Sequence, residues 1–303
     1  MALTDNQKRM IEAISRSDLQ LARKAAMACV AEDTSKKNEW WCKKYGSALE
    51  NTPTFLELPP NLKYKVTYED LADTFQEARY FLSERERELF DHIVRMNGAV
   101  EELTQLKLHY LNSILLYGPS GTGKTTFGRY VAYKMGLPFL YINFSNLIDS
   151  YMGKTSQNLN LVFNFVHEHK CVFMIDEIDT ISTRRSTAGG GSDAELARIT
   201  VTMMQEFDKL SNEHIVIGAT NRMDMMDEAL LRRFSKKHEV QVLTVDEKVK
   251  MVLQYLDDVG FSCSEESVKE YCLQNVDVPQ SQIINTVNEK IIQSVVSRSE
   301  FTL

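Results

Sequence analysis

Residues 118–125 read Gly118-Pro119-Ser120-Gly121-Thr122-Gly123-Lys124-Thr125, the G-x-x-x-x-G-K-[ST] spacing of a phosphate-binding loop. The apolar run Ile114-Leu115-Leu116-Tyr117 precedes it, and a helix-like segment, Thr126 to Met135, follows. That context allows the small residues to curl the backbone around a phosphate chain. The loop N–H groups then point inward, and the helix N-terminus adds positive partial charge. Lys124 is placed to neutralise the outer phosphates and Thr125 to hold Mg²⁺, with Thr126 continuing the cradle. The chemistry is nucleoside triphosphate binding.

A second group of residues suits hydrolysis. The buried-looking run Cys171-Val172-Phe173-Met174-Ile175 ends in Asp176-Glu177. At the end of a strand downstream of a phosphate loop, Asp176 can join the Mg²⁺ shell and Glu177 can polarise the attacking water. Asn221 follows Ile215 to Thr220 and either orients that water or simply makes a turn, where Asn is favoured. Arg232 and Arg233 follow Ala229-Leu230-Leu231. They are either a solvated helix face or fingers that neutralise charge on the transferring phosphoryl group.

The elements that position these residues are legible as periodicities. Five short apolar runs, 113–117, 138–143, 171–176, 214–219 and 238–242, alternate with helical stretches. This alternation predicts an α/β fold with a parallel sheet and crossover helices. Residues 1–50 read as three helices, with Ser17 and Gln20 as a capping box for the second and Trp40 and Trp41 on the third. The tryptophans are expected to pack inside that small bundle, with a partner-binding patch as the alternative. Pro53, Pro59 and Pro60 mark a linker, and Tyr68 to Met96 reads as helical and heavily charged. Beyond residue 244 only helices are expected, one capped by Thr244 and Glu247 and ending at Gly260, one capped by Ser264, and a last one from near Ser281.

Composition narrows the function classes. The chain has 303 residues, 43% of them hydrophobic, which is ample for a packed core. A net charge of −7 does not suggest an obligate nucleic-acid or membrane binder. No apolar stretch approaches the ~20 residues of a membrane span, and the N-terminus lacks a signal-peptide layout. Five scattered cysteines without a C-x-x-C pair suit a reducing, cytoplasmic setting. His167-Glu168-His169 has the wrong spacing for a shared metal on one helix face.

Four stretches in order carry a family resemblance: Asp149 to Lys154, Phe173 to Asp179, Gly218 to Arg222, and Asp227 to Phe234. Together with the phosphate loop they resemble an AAA-type ATPase over residues 110–300. The ending Ala229-Leu230-Leu231-Arg232-Arg233-Phe234 is similar to the katanin, spastin and ESCRT-disassembly branch. The resemblance implies ATP and Mg²⁺ as cofactors, strand order 5-1-4-3-2 in a five-stranded sheet, and a helical lid. The patterning divides the chain into 1–60 (helical module and linker), 61–243 (the α/β ATPase domain on this resemblance) and 244–303 (lid). The resemblance also implies Asn221 as the phosphate sensor, Arg232 and Arg233 acting on ATP in a neighbouring subunit, and Tyr151-Met152-Gly153 as a pore loop that grips a chain. No arginine stands at Pro279 to Ile283, where the wider superfamily often has one.

The function expected from this reading is an ATP-hydrolysing, ring-forming machine, a homo-hexamer, that remodels or unfolds a polypeptide client. An adaptor or a separate protease is a possible partner. A nucleic-acid motor and an ATP-switched scaffold are the alternatives.

Overall fold

The structure, a computed structural model, describes residues 3–15, 19–51, 58–63, 65–144, 155–180, 191–299 and 301–303. The expected pore-loop residues Tyr151, Met152 and Gly153, most of the glycine-rich stretch before Ser192, and the expected cap at Ser17 lie outside the described residues.

The phosphate loop and acid pair are carried by one sheet. Its strands are β1 (Thr67–Glu69), β2 (Asn112–Tyr117), β3 (Phe139–Asn143), β4 (Val172–Asp176), β5 (Ile215–Thr220) and β6 (Lys236–Glu239). They lie in the order β1-β3-β4-β5-β2-β6. The expectation of five strands needs correction. A sixth, β1, pairs antiparallel with β3 at the edge, with Tyr68 opposite Leu140. The other pairs are parallel, and those five strands run β6-β2-β5-β4-β3. β1 was hidden inside the segment read as helical from Tyr68. Three residues are too short to show a period, and the helix there, Glu84–Gly98, starts only at its own Ser83–Glu86 capping box. Tyr68 is held by an edge-to-face contact with Phe165, centroids 5.5 Å apart. β6 also begins earlier than its apolar residues suggested. As an edge strand it needs backbone pairing more than burial, so Lys236-Lys237-His238-Glu239 serves.

Strand alternation sends side chains to two cores. On one face Leu115, Phe173, Ile175 and Val216 pack with Leu159, Phe163, Met203 and Phe207. The last four come from helices Thr155–Glu168 and Gly191–Lys209. On the other face Ile114, Leu116, Met174 and Ile217 pack with Phe127 and Val131 of helix Lys124–Met135. β2 and β4, covered on both sides, are buried almost throughout. Rigid, doubly covered strands are what hold the loops at their C-terminal ends in place.

The C-terminal residues form helices Val245–Val259, Glu265–Gln274 and Gln280–Ser297. The Thr244–Glu247 capping box is present, and the first helix stops at left-handed Gly260. Val252, Leu256, Val268, Cys272, Ile283 and Val287 make a separate core.

At the other end, helices Asp5–Ser15, Leu19–Glu32 and Glu39–Asn51 pack in sequence. The expected burial of the tryptophans is overturned: Trp40 is 71% exposed and Trp41 52%. The buried seams here are lined by Ala13, Ala22 and Ala25. A Cβ on Gly46 would already stand 3.3 Å from Val30 Cγ1. Helices that meet this closely leave no room for an indole.

Candidate active site

The phosphate loop bridges β2 and helix Lys124–Met135, and its backbone depends on glycine. Gly118, Gly121 and Gly123 have φ of 138°, 77° and 93°, all outside the range ordinary side chains favour. At Gly118 space is also limiting, since a Cβ would meet Val240 O at 2.3 Å.

Lys124 lies at the centre of the site and is 7% exposed. Its ammonium has three protons, and three acceptors surround it. Gly118 O and Pro119 O each lie at 2.8 Å, and Asn221 Oδ1 at 2.6 Å. Burial pulls the Lys124 ammonium below its ordinary pKa, while Asp176 and Asp179 oppose that shift. A buried cation among acceptors is suited to trading them for phosphate oxygens, with which it forms stronger charge-assisted bonds.

Thr125 Oγ1 donates to Asp176 Oδ2 at 2.8 Å. This hydroxyl and carboxylate form an oxygen-only pair on neighbouring elements, the donor set that a hard, octahedral cation takes beside substrate phosphates. Mg²⁺ therefore fits between Thr125 and Asp176. Tyr141 OH also donates to Asp176 Oδ2, at 3.3 Å, and burial followed by Asp176 raises the phenol's pKa.

Glu177 is one of three non-glycine residues with positive φ among the described residues, at 53°. Such a conformation costs on the order of 1–3 kcal/mol and needs surrounding support. Here the Glu177 N–H donates to Asp176 Oδ1 at 2.9 Å. Its carbonyl accepts from Thr180 N at 3.0 Å and Thr180 Oγ1 at 2.8 Å. The turn thus aims the Glu177 side chain independently of strand direction.

Thr220 Oγ1 donates to Asp179 Oδ1 at 2.7 Å and accepts from Arg222 N at 2.9 Å. This ties the end of β5, and hence Asn221, to the turn that carries Glu177.

The two arginines are placed elsewhere. The Arg233 carbonyl accepts from Ser113 Oγ at 2.7 Å, and Ser235 Oγ donates to Ser113 O at 2.7 Å. Ser113 is the second residue of β2, whereas Gly118 follows its last residue. A six-residue strand is about 20 Å long. Arg232 and Arg233 therefore emerge at the opposite end of β2 from the phosphate loop of the same chain. Arg233 is held by Asp208 through Nε at 3.1 Å and Nη2 at 2.9 Å, and its Nη1 donates to Ala229 O at 2.7 Å. Arg232 is 77% exposed, with a 3.4 Å contact to Glu228.

Four contributors escaped the sequence reading. Tyr141, Asp179 and Thr220 brace the acid pair and Asn221, and Asp208 anchors Arg233. The C-terminal helices also touch the loop, through residues other than arginine. Ser281 N donates to Gly121 O at 3.1 Å, and Gln280 Nε2 to Gln241 O at 3.0 Å and Thr122 O at 3.4 Å. A Pro279 cap followed by Gln280 was the available signal, since Pro279 precedes the first turn of the last helix.

Strand, glycine loop, helix, acid pair and the amide of Asn221 together have the layout of a P-loop nucleotide-binding domain. Residues 114–242 match the family described as "ATPase family associated with various cellular activities (AAA)". The chain is 31% identical to the Arabidopsis thaliana "26S proteasome regulatory subunit 10B homolog A" over 202 residues, 66% of this chain and 51% of the relative. It is 35% identical to the Saccharomyces cerevisiae "26S proteasome subunit RPT4" over 165 residues, 52% of this chain and 38% of that one. It is 29% identical to the "ATP-dependent zinc metalloprotease FtsH" of Lachnoclostridium phytofermentans over 206 residues, covering 66% and 36%. The chain thus spans about half the length of the curated relatives it matches, or less. These matches support the AAA family broadly and do not single out the katanin and spastin branch. Among the described residues, no helix is long and apolar enough to cross a membrane.

Proposed function

We propose that this chain hydrolyses ATP as one subunit of a closed ring, a homo-hexamer, that remodels or unfolds polypeptide. Residues 61–243 form the motor, 244–303 a lid, and 1–60 a recognition module. The observation that carries the reading is the separation of Arg232 and Arg233 from the phosphate loop along β2. An arginine finger at that place cannot reach its own nucleotide. A head-to-tail contact brings it to the site of the next copy, and such a contact closes into a ring.

Within the site, Gly118 to Thr126 cradle the phosphates and Lys124 binds their outer oxygens. Thr125 and Asp176 hold Mg²⁺, which draws charge from the phosphates when bound. Glu177 accepts a proton from the attacking water as the water oxygen bonds to the terminal phosphorus and the bond to the ADP oxygen breaks. Asn221 orients that water. Arg232 of a neighbouring copy neutralises the charge that develops on the transferring group. The contact of Ser281 and Gln280 with the loop offers a path by which hydrolysis shifts the C-terminal helices.

The relatives' names supply the support for polypeptide as the client, since they include proteasome regulatory subunits and an ATP-dependent protease. Tyr151-Met152-Gly153 as a pore loop is consistent with it, because Tyr and Met grip apolar surface without reading sequence. A separate protease is a candidate partner.

The test uses the intact chain and its Glu177→Gln variant. The wild type should release phosphate from ATP faster when an unfolded polypeptide is added. The variant should bind ATP with similar affinity, release no phosphate, and retain the polypeptide on a sizing column. Stimulation by DNA in place of polypeptide would transfer the assignment to a nucleic-acid motor.

A further inference from the structure

The third helix of the N-terminal module, Glu39–Asn51, has two unlike faces. Cys42, Gly46 and Leu49, at i, i+4 and i+7, are partly buried. Gly46 lies against Val30 of the preceding helix. Trp40, Trp41, Lys43, Lys44 and Tyr45 are exposed. They form an ordered surface rather than loose side chains. Trp41 and Tyr45 rings lie 4.7 Å apart, and Lys44 Nζ lies 4.9 Å from the Trp40 ring centroid and 5.5 Å from that of Tyr45. Cation–π contacts of this kind hold large aromatics in place at small cost.

Charge supports the same reading. Residues 36–45 contain Lys36, Lys37, Lys43 and Lys44 against Glu39, with Glu32 and Asp33 just before them, in a chain of net charge −7. Two exposed tryptophans beside an exposed tyrosine make a contiguous aromatic surface, and Trp and Tyr are enriched at binding hot spots. The motor has no use for them: none belongs to the phosphate loop, the acid pair or the arginine site.

We propose that Trp40, Trp41 and Tyr45, with Lys44 against the rings and Lys36, Lys37 and Lys43 on the same segment, form a docking surface for an acidic segment of the client polypeptide that also carries leucine or phenylalanine side chains. The aromatics take the apolar side chains, and the lysines take the carboxylates. Opposite charge raises the encounter rate and excludes basic partners. A client held here stays tethered beside the ring, at a high effective concentration for engagement by the motor. The assignment of the partner as client rests on the remodelling reading; the binding chemistry does not.

Trp40 and Trp41 are the only tryptophans in the chain, so intrinsic fluorescence reports on the patch directly. The intact protein is titrated with a synthetic 15-residue peptide of glutamate, leucine and phenylalanine. Parallel titrations use the same peptide with lysine for glutamate, anionic phospholipid vesicles, and a single-stranded oligonucleotide. The acidic peptide should shift the emission to the blue with saturation, and moderate salt should weaken it. A fluorescein-labelled acidic peptide, read by anisotropy, should bind at least tenfold more weakly to Lys43→Glu/Lys44→Glu and to Trp40→Ala/Trp41→Ala. All four positions are exposed, and circular dichroism checks that the helices persist. The proposal is overturned if the acidic peptide leaves the emission unchanged or binds no better than its lysine counterpart. It is also overturned if vesicles or oligonucleotide bind more tightly, or if the emission depends only on protein concentration, which would make the patch a self-contact. Loss of peptide binding alongside ATP turnover that still rises with another unfolded protein would sink this surface and leave the remodelling function standing. Peptide binding with no such rise would do the reverse.

Discussion

Arg233 is clamped by Asp208 of its own chain through two guanidinium nitrogens, at 3.1 and 2.9 Å, while its neighbour Arg232 projects into solvent. The two arginines therefore do different work. Arg233 is 29% exposed and Asp208 57%, so their pair is screened and contributes about 1 kcal/mol at most. Its effect is to fix the short helix Glu228–Leu231 against helix Gly191–Lys209, with Arg232 presented outward. Arg232→Ala should leave the melting temperature unchanged and lower kcat by on the order of 10³-fold. Arg233→Ala should lower the melting temperature by a few degrees as well as kcat. Calorimetry and phosphate release on the same preparations separate the two effects.

Lys124 and Asn221 meet at 2.6 Å, but they should fail differently. Lys124→Ala removes the cation that faces the phosphates, so binding of a fluorescent ATP analogue should be lost. Asn221→Ala should leave that binding within a few-fold of wild type and lower kcat by on the order of 10²-fold, as loss of an orienting polar group does. An equal loss of affinity in both variants would contradict the assignment of Asn221 to the chemical step.

Gly218 in β5 is required by its neighbour's ring. A Cβ there would stand 2.7 Å from Phe234 Cζ and 3.2 Å from Leu115 Cδ1. Phe234 in turn packs edge-to-face on Phe207, centroids 5.4 Å apart. Gly218→Ala should destabilise the domain by about 1–3 kcal/mol, the usual effect of overfilling a packed core. Because Phe234 follows Arg233 directly, kcat should fall further than the stability change alone predicts. Urea unfolding and ATP turnover below the transition measure both.

Acid sensitivity should centre partly on His214. The ring is buried, its Nε2 lies 3.0 Å from Val166 O, and its Nδ1 lies 3.0 Å from Ser211 Oγ. Burial holds its pKa below the ordinary value near 6.5. Between those two values the unfolded chain binds a proton that the folded chain does not. Stability is therefore full above about pH 6.5 and declines as pH falls through that window. His92 and His238 are lowered by burial in the same sense. His214→Gln should flatten the decline in melting temperature between pH 7.5 and 5 without abolishing it.

The parts of this site that are legible in the sequence are those whose chemistry sits in consecutive residues. Gly118 to Thr125 and Asp176-Glu177 must be contiguous, because one loop and one strand end carry them. The supports are not contiguous. Asp208 reaches Arg233 across 25 positions, and Thr220 reaches Asp179 across 41. No local pattern marks which acid on a helix will meet which arginine. β1 escaped for a different reason, since an edge strand of three residues takes its definition from Phe139 to Tyr141 opposite it. The tryptophans were misplaced because aromatic content predicts burial on average, whereas helices joined through alanine and glycine exclude large rings.

The claim that the site is completed by a second copy of the chain is tested most directly by mixing two inactive variants. On the proposed mechanism Lys124→Ala should not bind nucleotide, and Arg232→Ala should lack the finger. Each alone should turn over ATP at background rate. Combined in equal amounts and allowed to exchange subunits, they should regain a substantial fraction of wild-type turnover, since an intact Lys124 on one copy then faces an intact Arg232 on the next. Wild-type turnover by Arg232→Ala alone, or a mixture no more active than its separate components, would contradict the account.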